Sequence, residues 1–246
     1  AETVLLEQEF AAQVGANYCL AVASGGYAMA TALRAVGVKP GDRVLTNAFT
    51  LAPVPGAIAA VGAVPVFVGV TEQLVIDLDD LAAKADQADV LLLSHMRGHL
   101  ADMDALMAIC DGAGITVIED CAHTMGAAWN GVPSGTQGKV GCYSCQTYKH
   151  VNSGEGGLFV TDDPEVAARA TILSGSYMMY GQNTARPPLS AFEAIRDETP
   201  NFSMRMTDLT AALLRPQLAM LDGWAEAWNA AHDQLQSGLK EIPHLA

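Results

Sequence analysis

The chain has 246 residues, half of them apolar, and carries a formal net charge of −14 at pH 7. A surface this acidic repels phosphate backbones, which argues against nucleic acid as a partner. The most apolar stretch, residues 57–70, contains Gly62 and Pro65 and is too short to cross a bilayer, so we expect no membrane association either.

Strand-like apolar runs alternate with helical patterns through the first two thirds of the chain. The predicted strands are Tyr18–Ala23, Arg43–Asn47, Val64–Val68, Val90–Ser94, Thr116–Asp120, Val140–Gln146 and Gly157–Thr161. The predicted helices are Gly26–Val36, Pro53–Val61, Leu78–Lys84, Met103–Ala113 and Asp163–Leu173. This alternation predicts an α/β fold with a mostly parallel sheet.

The pattern changes after Ser174. Residues 175–202 contain Gly, Pro, Arg and polar residues without a clear period, which is typical of a long functional or mobile excursion. Apolar positions at helical spacing then predict a helical stretch from about Met206 to Leu239, interrupted near Pro216.

The cysteines point to a reducing environment. Their odd count of five does not suggest a disulfide framework, so we expect a cytoplasmic protein. Cys142 and Cys145 form an isolated C-x-x-C pair with no second pair at matching spacing. We therefore interpret both as ordinary strand residues and expect no metal site.

Two glycine-containing turns lie at predicted strand ends, where open α/β sheets bind their ligands. The turn Ser24-Gly25-Gly26-Tyr27 follows a strand and opens a helix, whose N-terminal N–H groups suit a phosphate. An ordinary helix-initiating turn is the alternative. The second turn, Gly154-Glu155-Gly156-Gly157, predicts a tight return close to a ligand or to another backbone segment.

Ionisable side chains follow two further strands. Asp120 ends an apolar strand, where a buried carboxylate needs a partner such as a pyridinium N–H group. A helix N-cap is the alternative for Asp120, and an ordinary turn histidine is the alternative for His123. Lys149 lies in an apolar, small-polar stretch, and burial would lower the pKa of its amine as a Schiff-base lysine requires. An exposed lysine is the alternative there. Ser144, five residues earlier, is placed to donate a hydroxyl to the same phosphate.

The order of these motifs resembles one enzyme family. Ser-Gly-Gly at 24–26, Glu-Asp-x-Ala-His at 119–123, Ser-x4-Lys at 144–149 and Gly-Glu-Gly-Gly at 154–157 are similar to the DegT/DnrJ/EryC1/StrS aminotransferases. These are fold-type I enzymes that use pyridoxal 5′-phosphate (PLP), and most of them aminate nucleotide-linked keto-sugars. The match extends from about Leu6 to Leu239.

The resemblance implies a three-layer α/β/α sandwich with a mostly parallel seven-stranded sheet. It also implies two domains. Residues 1–222 would form the PLP-binding large domain, and residues 223–246 would form a helix leading into a C-terminal small domain that is largely absent. A truncated product, a fragment and a divergent family member would each explain this boundary.

The resemblance further implies a role for each site residue. Lys149 is the catalytic residue, which binds PLP covalently and then moves the proton at the donor Cα. Asp120 pairs with the pyridine nitrogen, and His123 lies near the ring face. The residues implied to hold the phosphate are Gly25, Gly26, Tyr27, Ser144 and Ser203, the last at the position of an Asn that reaches across to a second subunit.

The expected partners also follow from the resemblance. They are an amino-acid donor, with glutamate as the expected one, a keto-sugar acceptor, expected to be nucleotide-linked, and a second copy of the chain in a homodimer. Several residues depart from the family pattern and bear on the substrate: Gly26, Leu51, Arg97, Tyr148 and Ser203. Two alternatives remain open. One is a PLP-dependent sugar dehydratase, in which His replaces the lysine, and the other is a non-catalytic PLP-binding homologue with a regulatory role.

Overall fold

The computed structural model describes residues 1–175, 181, 185–240 and 242. Its strands are β1 (Tyr18–Val22), β2 (Arg43–Asn47), β3 (Val64–Val68), β4 (Val90–Ser94), β5 (Thr116–Asp120), β6 (Ala128–Trp129), β7 (Val132–Pro133), β8 (Val140–Ser144) and β9 (Gly157–Thr161). Its helices are α1 (Glu2–Val14), α2 (Gly25–Ala35), α3 (Pro53–Ala60), α4 (Leu78–Ala83), α5 (Met103–Ala113), α6 (Pro164–Ser174), α7 (Leu189–Glu193), α8 (Asp208–Leu218) and α9 (Leu221–Lys240).

Seven strands form one sheet in the order β1-β9-β8-β5-β4-β2-β3, and β6 and β7 form a separate hairpin. β9 runs antiparallel to both of its neighbours, and the other pairs in the large sheet are parallel. The predicted α/β fold with a mostly parallel seven-stranded sheet is therefore confirmed. All seven predicted strands are present, although β1 and β8 end one and two residues earlier than predicted.

Helices cover both faces of the sheet, which gives three layers. Leu92 of β4 packs with residues of α2, α3 and α6, whereas Leu91 and Leu93 pack with residues of α4 and α5 on the opposite face. α1 and α8 continue this second layer over β1, β8 and β9. Each fully buried leucine of β4 contributes about 1.5–3 kcal/mol relative to an exposed one, so the apolar run specifies a central strand.

The helices begin where short polar side chains can accept backbone hydrogen bonds. Such N-caps open α2, α4, α5, α6 and α8, at Ser24, Asp77, Asp102, Asp163 and Thr207. Each cap satisfies amide groups that have no partner inside the helix and contributes about 1 kcal/mol. The helix starts are consequently local features of the sequence.

The predicted interruption of the last helical stretch is confirmed, but it falls at residues 219–220 rather than at Pro216 itself. α8 continues through Pro216 to Leu218, and the break falls before α9 begins at Leu221. Contacts with α1 explain the difference, because Arg215 forms ion pairs with Glu2 and Glu9 while apolar residues of α8 are buried against α1. This tertiary packing outweighs the backbone hydrogen bond that proline cannot make.

Three elements were not predicted: α1, the β6–β7 hairpin and α7, which lies within the excursion predicted for residues 175–202. Residues 176–180 and 182–184 of that excursion, and 241 and 243–246 of the segment assigned to the small domain, lie outside the described residues. Among the helices that the structure describes, none is long and apolar enough to cross a membrane.

The two residues of the C-x-x-C pair lie on opposite faces of the sheet. Cys142 packs in the cluster that contains α2 and α6, whereas Cys145 packs in the cluster that contains α1 and α8. Both thiols are free and buried. They cannot share one metal ion, which agrees with their interpretation as ordinary residues of the sheet.

Candidate active site

The sheet brings the predicted motifs to one edge. Ser94 at the end of β4 is paired with Asp120 at the end of β5, and Ser144 at the end of β8 is paired with Gly157 at the start of β9. Gly157 is also paired with Val22, two residues before the turn at 24–27. Because β9 is antiparallel, its first residue lies level with the last residues of its neighbours.

A cavity of about 410 Å³ opens at this edge. It is lined by six of the predicted site residues: Gly25, Gly26, Asp120, His123, Ser144 and Lys149. Its apolar wall is formed by Met29, Leu51, Val54 and Met96. Tyr27 and Ser203 do not line it. The sequence therefore identified four of the eight polar side chains that line this cavity, and the four that it did not assign to the site are Ser24, Ser94, Gln146 and Glu155.

The turn at 24–27 offers two backbone donors to the cavity. Ser24 Oγ accepts the Tyr27 N–H at 3.1 Å, and the Ala28 N–H is bonded to the Ser24 carbonyl. In the described part of the chain the N–H groups of Gly25 and Gly26 have no acceptor, as is usual for a first helical turn. The predicted phosphate contact is therefore available at Gly25 and Gly26, whereas the Tyr27 N–H is already engaged.

Glycine is required where two backbone segments meet beneath this turn. A Cβ atom on Gly25 would lie 2.8 Å from Ser144 Cβ, and one on Gly157 would lie 2.3 Å from the Ser24 carbonyl oxygen. The prediction that the turn at 154–157 passes close to another backbone segment is thus confirmed at Gly157. Ser144 Oγ accepts only a long bond, 3.4 Å, from the Gln146 N–H, and its proton is free to point into the cavity.

Asp120 is a buried carboxylate with two neutral donors. Ser94 Oγ donates to its Oδ2 and the Ala122 N–H donates to its Oδ1, each at 3.1 Å. Burial raises the pKa of Asp120, although these bonds and the charge of Lys149 oppose the rise. A cationic N–H group in the cavity would relieve this cost. The alternative of a helix N-cap does not apply, since residues 122–126 form turns rather than a helix.

The neighbouring Glu119 is also buried but has more hydrogen-bond donors around it, and no local pattern in the sequence indicates its role. It is fully buried and accepts hydrogen bonds from His95 Nε2 at 3.0 Å and from the N–H groups of Gly135, Gln137 and Gly138. Burial alone would raise the pKa of Glu119, but these bonds outweigh burial and hold the pKa below its usual value. Glu119 therefore ties the 135–138 segment to β5.

A cluster of possible metal ligands lies behind the cavity but is already saturated. The ligand atoms of His95, Glu119 and Cys121 lie within 4.8 Å of one another. Both oxygens of Glu119 already accept two hydrogen bonds each, and burial raises the pKa of the Cys121 thiol well above its usual value. To bind a cation, Glu119 would have to lose hydrogen bonds and Cys121 would have to lose its thiol proton, and the surroundings of both residues oppose this.

Lys149 is half-buried and its amine is unpaired in the part of the chain that the structure describes. Burial lowers the pKa of Lys149; the positive charge of Arg97 lowers it further, and the negative charge of Asp120 opposes both. The amine consequently loses its proton at a lower pH than an ordinary lysine does. The alternative of a fully exposed lysine does not hold.

His123 is neutral at physiological pH. Burial and the charges of Lys149 and Arg97 lower its pKa to about 4. Its Nδ1 accepts the Arg97 N–H at 3.2 Å, so the ring proton is on Nε2. His123 lies in a turn, but it lines the cavity and takes up a proton only at a lower pH than an ordinary histidine does.

Ser203 lies on the surface outside the cavity. Its φ of 53° is in the left-handed region, and its N–H donates to Asn201 Oδ1 at 2.9 Å. The next residue, Met204, accepts the Ala23 N–H through its carbonyl oxygen, which keeps this segment beside the turn at 24–27. A role for Ser203 at the phosphate of a second subunit stays a prediction.

Comparison with known proteins gives one family. The model of the DegT/DnrJ/EryC1/StrS aminotransferase family matches residues 1–246. The spore coat polysaccharide biosynthesis protein SpsC of Bacillus subtilis is 33% identical over 245 residues, which are 97% of this chain and 62% of SpsC. The L-glutamine:scyllo-inosose aminotransferase of Streptomyces griseus is 34% identical over 239 residues, which are 95% of this chain and 55% of that enzyme.

The solved structures agree with the sequence comparison. The crystal structure of S. venezuelae DesV in complex with a ketimine intermediate is similar with a TM-score of 0.86 and 33% identity, over 99% of this chain and 63% of DesV. The chain therefore spans a little more than half of the length of each of these proteins.

Proposed function

The chain belongs to the DegT/DnrJ/EryC1/StrS aminotransferase family, and from that we propose that it uses PLP to move an amino group from an amino-acid donor to the keto carbon of a sugar or cyclitol. In its finer form, the proposal takes glutamate as the donor and a nucleotide-linked keto-sugar as the acceptor. The observation that carries it is one cavity that presents the Lys149 amine, the Asp120 carboxylate and the open N-terminus of α2.

The residues present fit PLP. The free N–H groups of Gly25 and Gly26 and the hydroxyl of Ser144 are donors suited to a phosphate, and Gly25 packs so closely on Ser144 that a Cβ atom would displace the hydroxyl-bearing side chain. Asp120, whose buried charge lacks a cationic partner among the described residues, suits a protonated ring nitrogen. When bound, PLP supplies an electron-accepting ring that stabilises negative charge at the donor Cα.

Residues of the chain would carry out the proton transfers. The lowered pKa of Lys149 increases the neutral fraction of its amine, which is the form that attacks a carbonyl and can remove a proton. Lys149 would hold the cofactor and, once released by the donor, take the Cα proton and return it. Asp120 would keep the ring nitrogen protonated, and neutral His123 would contact the ring without repelling that charge.

The larger assembly is part of the same proposal. Residues 1–222 would form the large domain, residues 223–246 would lead into the C-terminal small domain, with the proposed boundary inside α9, and the chain would act as a homodimer. The exposed position of Ser203 beside the turn at 24–27 supports a contribution from a second subunit. The free, buried cysteines are compatible with a cytoplasmic location.

The environment of His150 argues against the dehydratase alternative. Its ring packs against Trp228 of α9 with the ring centroids 5.2 Å apart, and it is Lys149 that lines the cavity. A histidine that replaces the lysine in function would need to face the same space. The non-catalytic alternative is separated from the proposal by experiment.

Covalent trapping tests the assignment of Lys149. The purified protein is mixed with PLP, reduced with borohydride, digested and analysed by mass spectrometry, with Lys149→Ala and Lys139→Ala measured in parallel. We expect the label on Lys149, its loss in Lys149→Ala, and no change in Lys139→Ala, because Lys139 is exposed and paired with Asp163. A label that survives in Lys149→Ala would refute the assignment.

Amino transfer is tested by the first half of the reaction. Glutamate, glutamine and alanine are added in turn to the PLP-loaded protein, and the keto acid is quantified. We expect about one equivalent of keto acid per subunit from the preferred donor and none from Lys149→Ala. A protein that is labelled at Lys149 but produces no keto acid from any donor would support the non-catalytic alternative.

A further inference from the structure

Arg97 follows Met96 at the rim of the cavity and has no acidic partner among the residues that the structure describes. It is the middle residue of the 3₁₀ turn Met96–Gly98 that follows β4, and its predecessor Met96 lines the cavity. Its N–H donates to Nδ1 of His123, which fixes the backbone against another lining residue. Its side chain is exposed, and no carboxylate in the described ranges is within ion-pair distance of its guanidinium.

The backbone of Arg97 is held in an unfavourable conformation. Its φ is 58°, in the left-handed region, where a residue with a Cβ atom loses about 1–2 kcal/mol relative to the right-handed one. Gly98, the next residue, is also left-handed, with a φ of 85°. Strained non-glycine residues of this kind cluster at active sites and ligand-binding sites.

The charge of Arg97 reaches the reacting groups. Its N–H is bonded to His123, which lines the same cavity as Lys149, and its positive charge lowers the pKa of both side chains. An anion bound at this guanidinium would therefore lie on the His123 side of the cavity that holds the amine. A planar guanidinium with parallel N–H donors is also the side chain best matched to a carboxylate.

We propose that Arg97 binds the α-carboxylate of the amino donor and thereby selects donors that carry one. This inference rests on the proposed function. The α-carboxylate is bonded directly to the Cα whose proton Lys149 would remove, so it would lie inside the cavity that Arg97 adjoins through His123. The phosphates of a nucleotide-linked acceptor are several bonds farther from the reacting carbon, which favours the donor as the ligand.

The test compares Arg97→Gln and Arg97→Lys with Arg169→Gln, a control that removes an equally charged residue from a surface ion pair with Glu165 on α6. Donor affinity is measured in the first half of the reaction. We expect Arg97→Gln to weaken it roughly 10- to 100-fold, as for the loss of a charged hydrogen-bonded contact. Arg97→Lys should weaken it less, and Arg169→Gln should leave it unchanged.

Two further measurements locate the effect. Arg97→Gln should not weaken the binding of amines without a carboxylate or of an uncharged keto-sugar, and any change in rate that follows from the raised pKa of Lys149 should be the same for all substrates. Thermal melting should be unchanged, because the side chain is exposed. Unchanged donor affinity in Arg97→Gln would overturn the proposal, as would weakening confined to a phosphorylated acceptor.

Calorimetric titration of the PLP-loaded protein with succinate separates this inference from the proposed function. Succinate carries carboxylates but no amine, so its binding needs no catalysis. We expect weaker binding to Arg97→Gln than to wild type or Arg169→Gln. If wild type forms no keto acid but shows this difference, the amino-transfer proposal fails while the carboxylate site stands. Equal binding to all three proteins would reject the site.

Discussion

Two consecutive carboxylates should respond in opposite ways to loss of charge. Successive strand residues point to opposite faces of a sheet, so Asp120 faces the cavity while Glu119 faces the 135–138 segment. We predict that Asp120→Asn abolishes most of the activity without loss of stability, and that Glu119→Gln destabilises the fold. Each substitution removes one charge at nearly constant volume, so each serves as the control for the other.

The magnitude for Glu119 follows from its hydrogen bonds. Each carboxylate oxygen accepts two, so a glutamine amide nitrogen would leave two buried donors without an acceptor. At about 1–3 kcal/mol for each of the two unsatisfied groups, the loss is about 2–6 kcal/mol. At about 2–4 °C per kcal/mol for a chain of this size, the melting temperature should fall by roughly 4–24 °C.

The expected change in stability has the opposite sign for Asp120→Asn. Its neutral donors, Ser94 Oγ and the Ala122 N–H, can both be satisfied by an asparagine, because a hydroxyl also accepts. An acid whose pKa is higher in the folded state than in the unfolded chain destabilises the fold once the pH rises above the unfolded-chain pKa. Asp120 is such an acid, so the cofactor-free Asp120→Asn variant should melt at or above the wild-type temperature at neutral pH. Below about pH 4 this advantage should disappear.

For Glu119, the lowered pKa gives stability that is present at neutral pH and lost under acid conditions. The deficit of Glu119→Gln should therefore narrow as the pH falls below about 4. Circular-dichroism melts at several pH values measure both trends. Keto-acid formation should fall about 10- to 150-fold in Asp120→Asn, as expected for a lost charged hydrogen bond. Equal destabilisation by both substitutions, or an active Asp120→Asn, would refute the assignment.

Three further predictions concern the rim and the glycine turn. Gly25→Ala should weaken PLP binding at least tenfold in fluorescence titrations, because its Cβ would meet Ser144 at 2.8 Å, and wild-type affinity would contradict that packing. Gly26→Ser has room, with the nearest atom 3.7 Å from its Cβ, and should tighten PLP binding by adding a hydroxyl donor. His123, with a pKa of about 4, should stay neutral from pH 5 to 9 in an NMR titration. Arg97→Gln should raise that pKa, because it removes a nearby positive charge. An unchanged pKa in the variant would mean that the guanidinium does not act on His123.

The sequence determined the elements whose signals are local. The apolar run of β4, the short polar N-caps and the glycine turns act within a few residues, so all seven strands of the sheet were predicted nearly to the residue. The family motifs similarly identified Lys149, Asp120 and Ser144, because each follows a strand end that the pattern reveals.

Tertiary structure decided what depends on residues far apart in the chain. Packing on α1 carries α8 through Pro216, and strand order sets Gly157 against the turn at 24–27. The unlike surroundings of Glu119 and Asp120, and the effect of the Arg97 charge on the pKa of Lys149, arise only when separate strands meet at one edge of the sheet. The burial of a residue and the charges around it depend on neighbours that are distant in the chain. A local sequence pattern does not contain those neighbours.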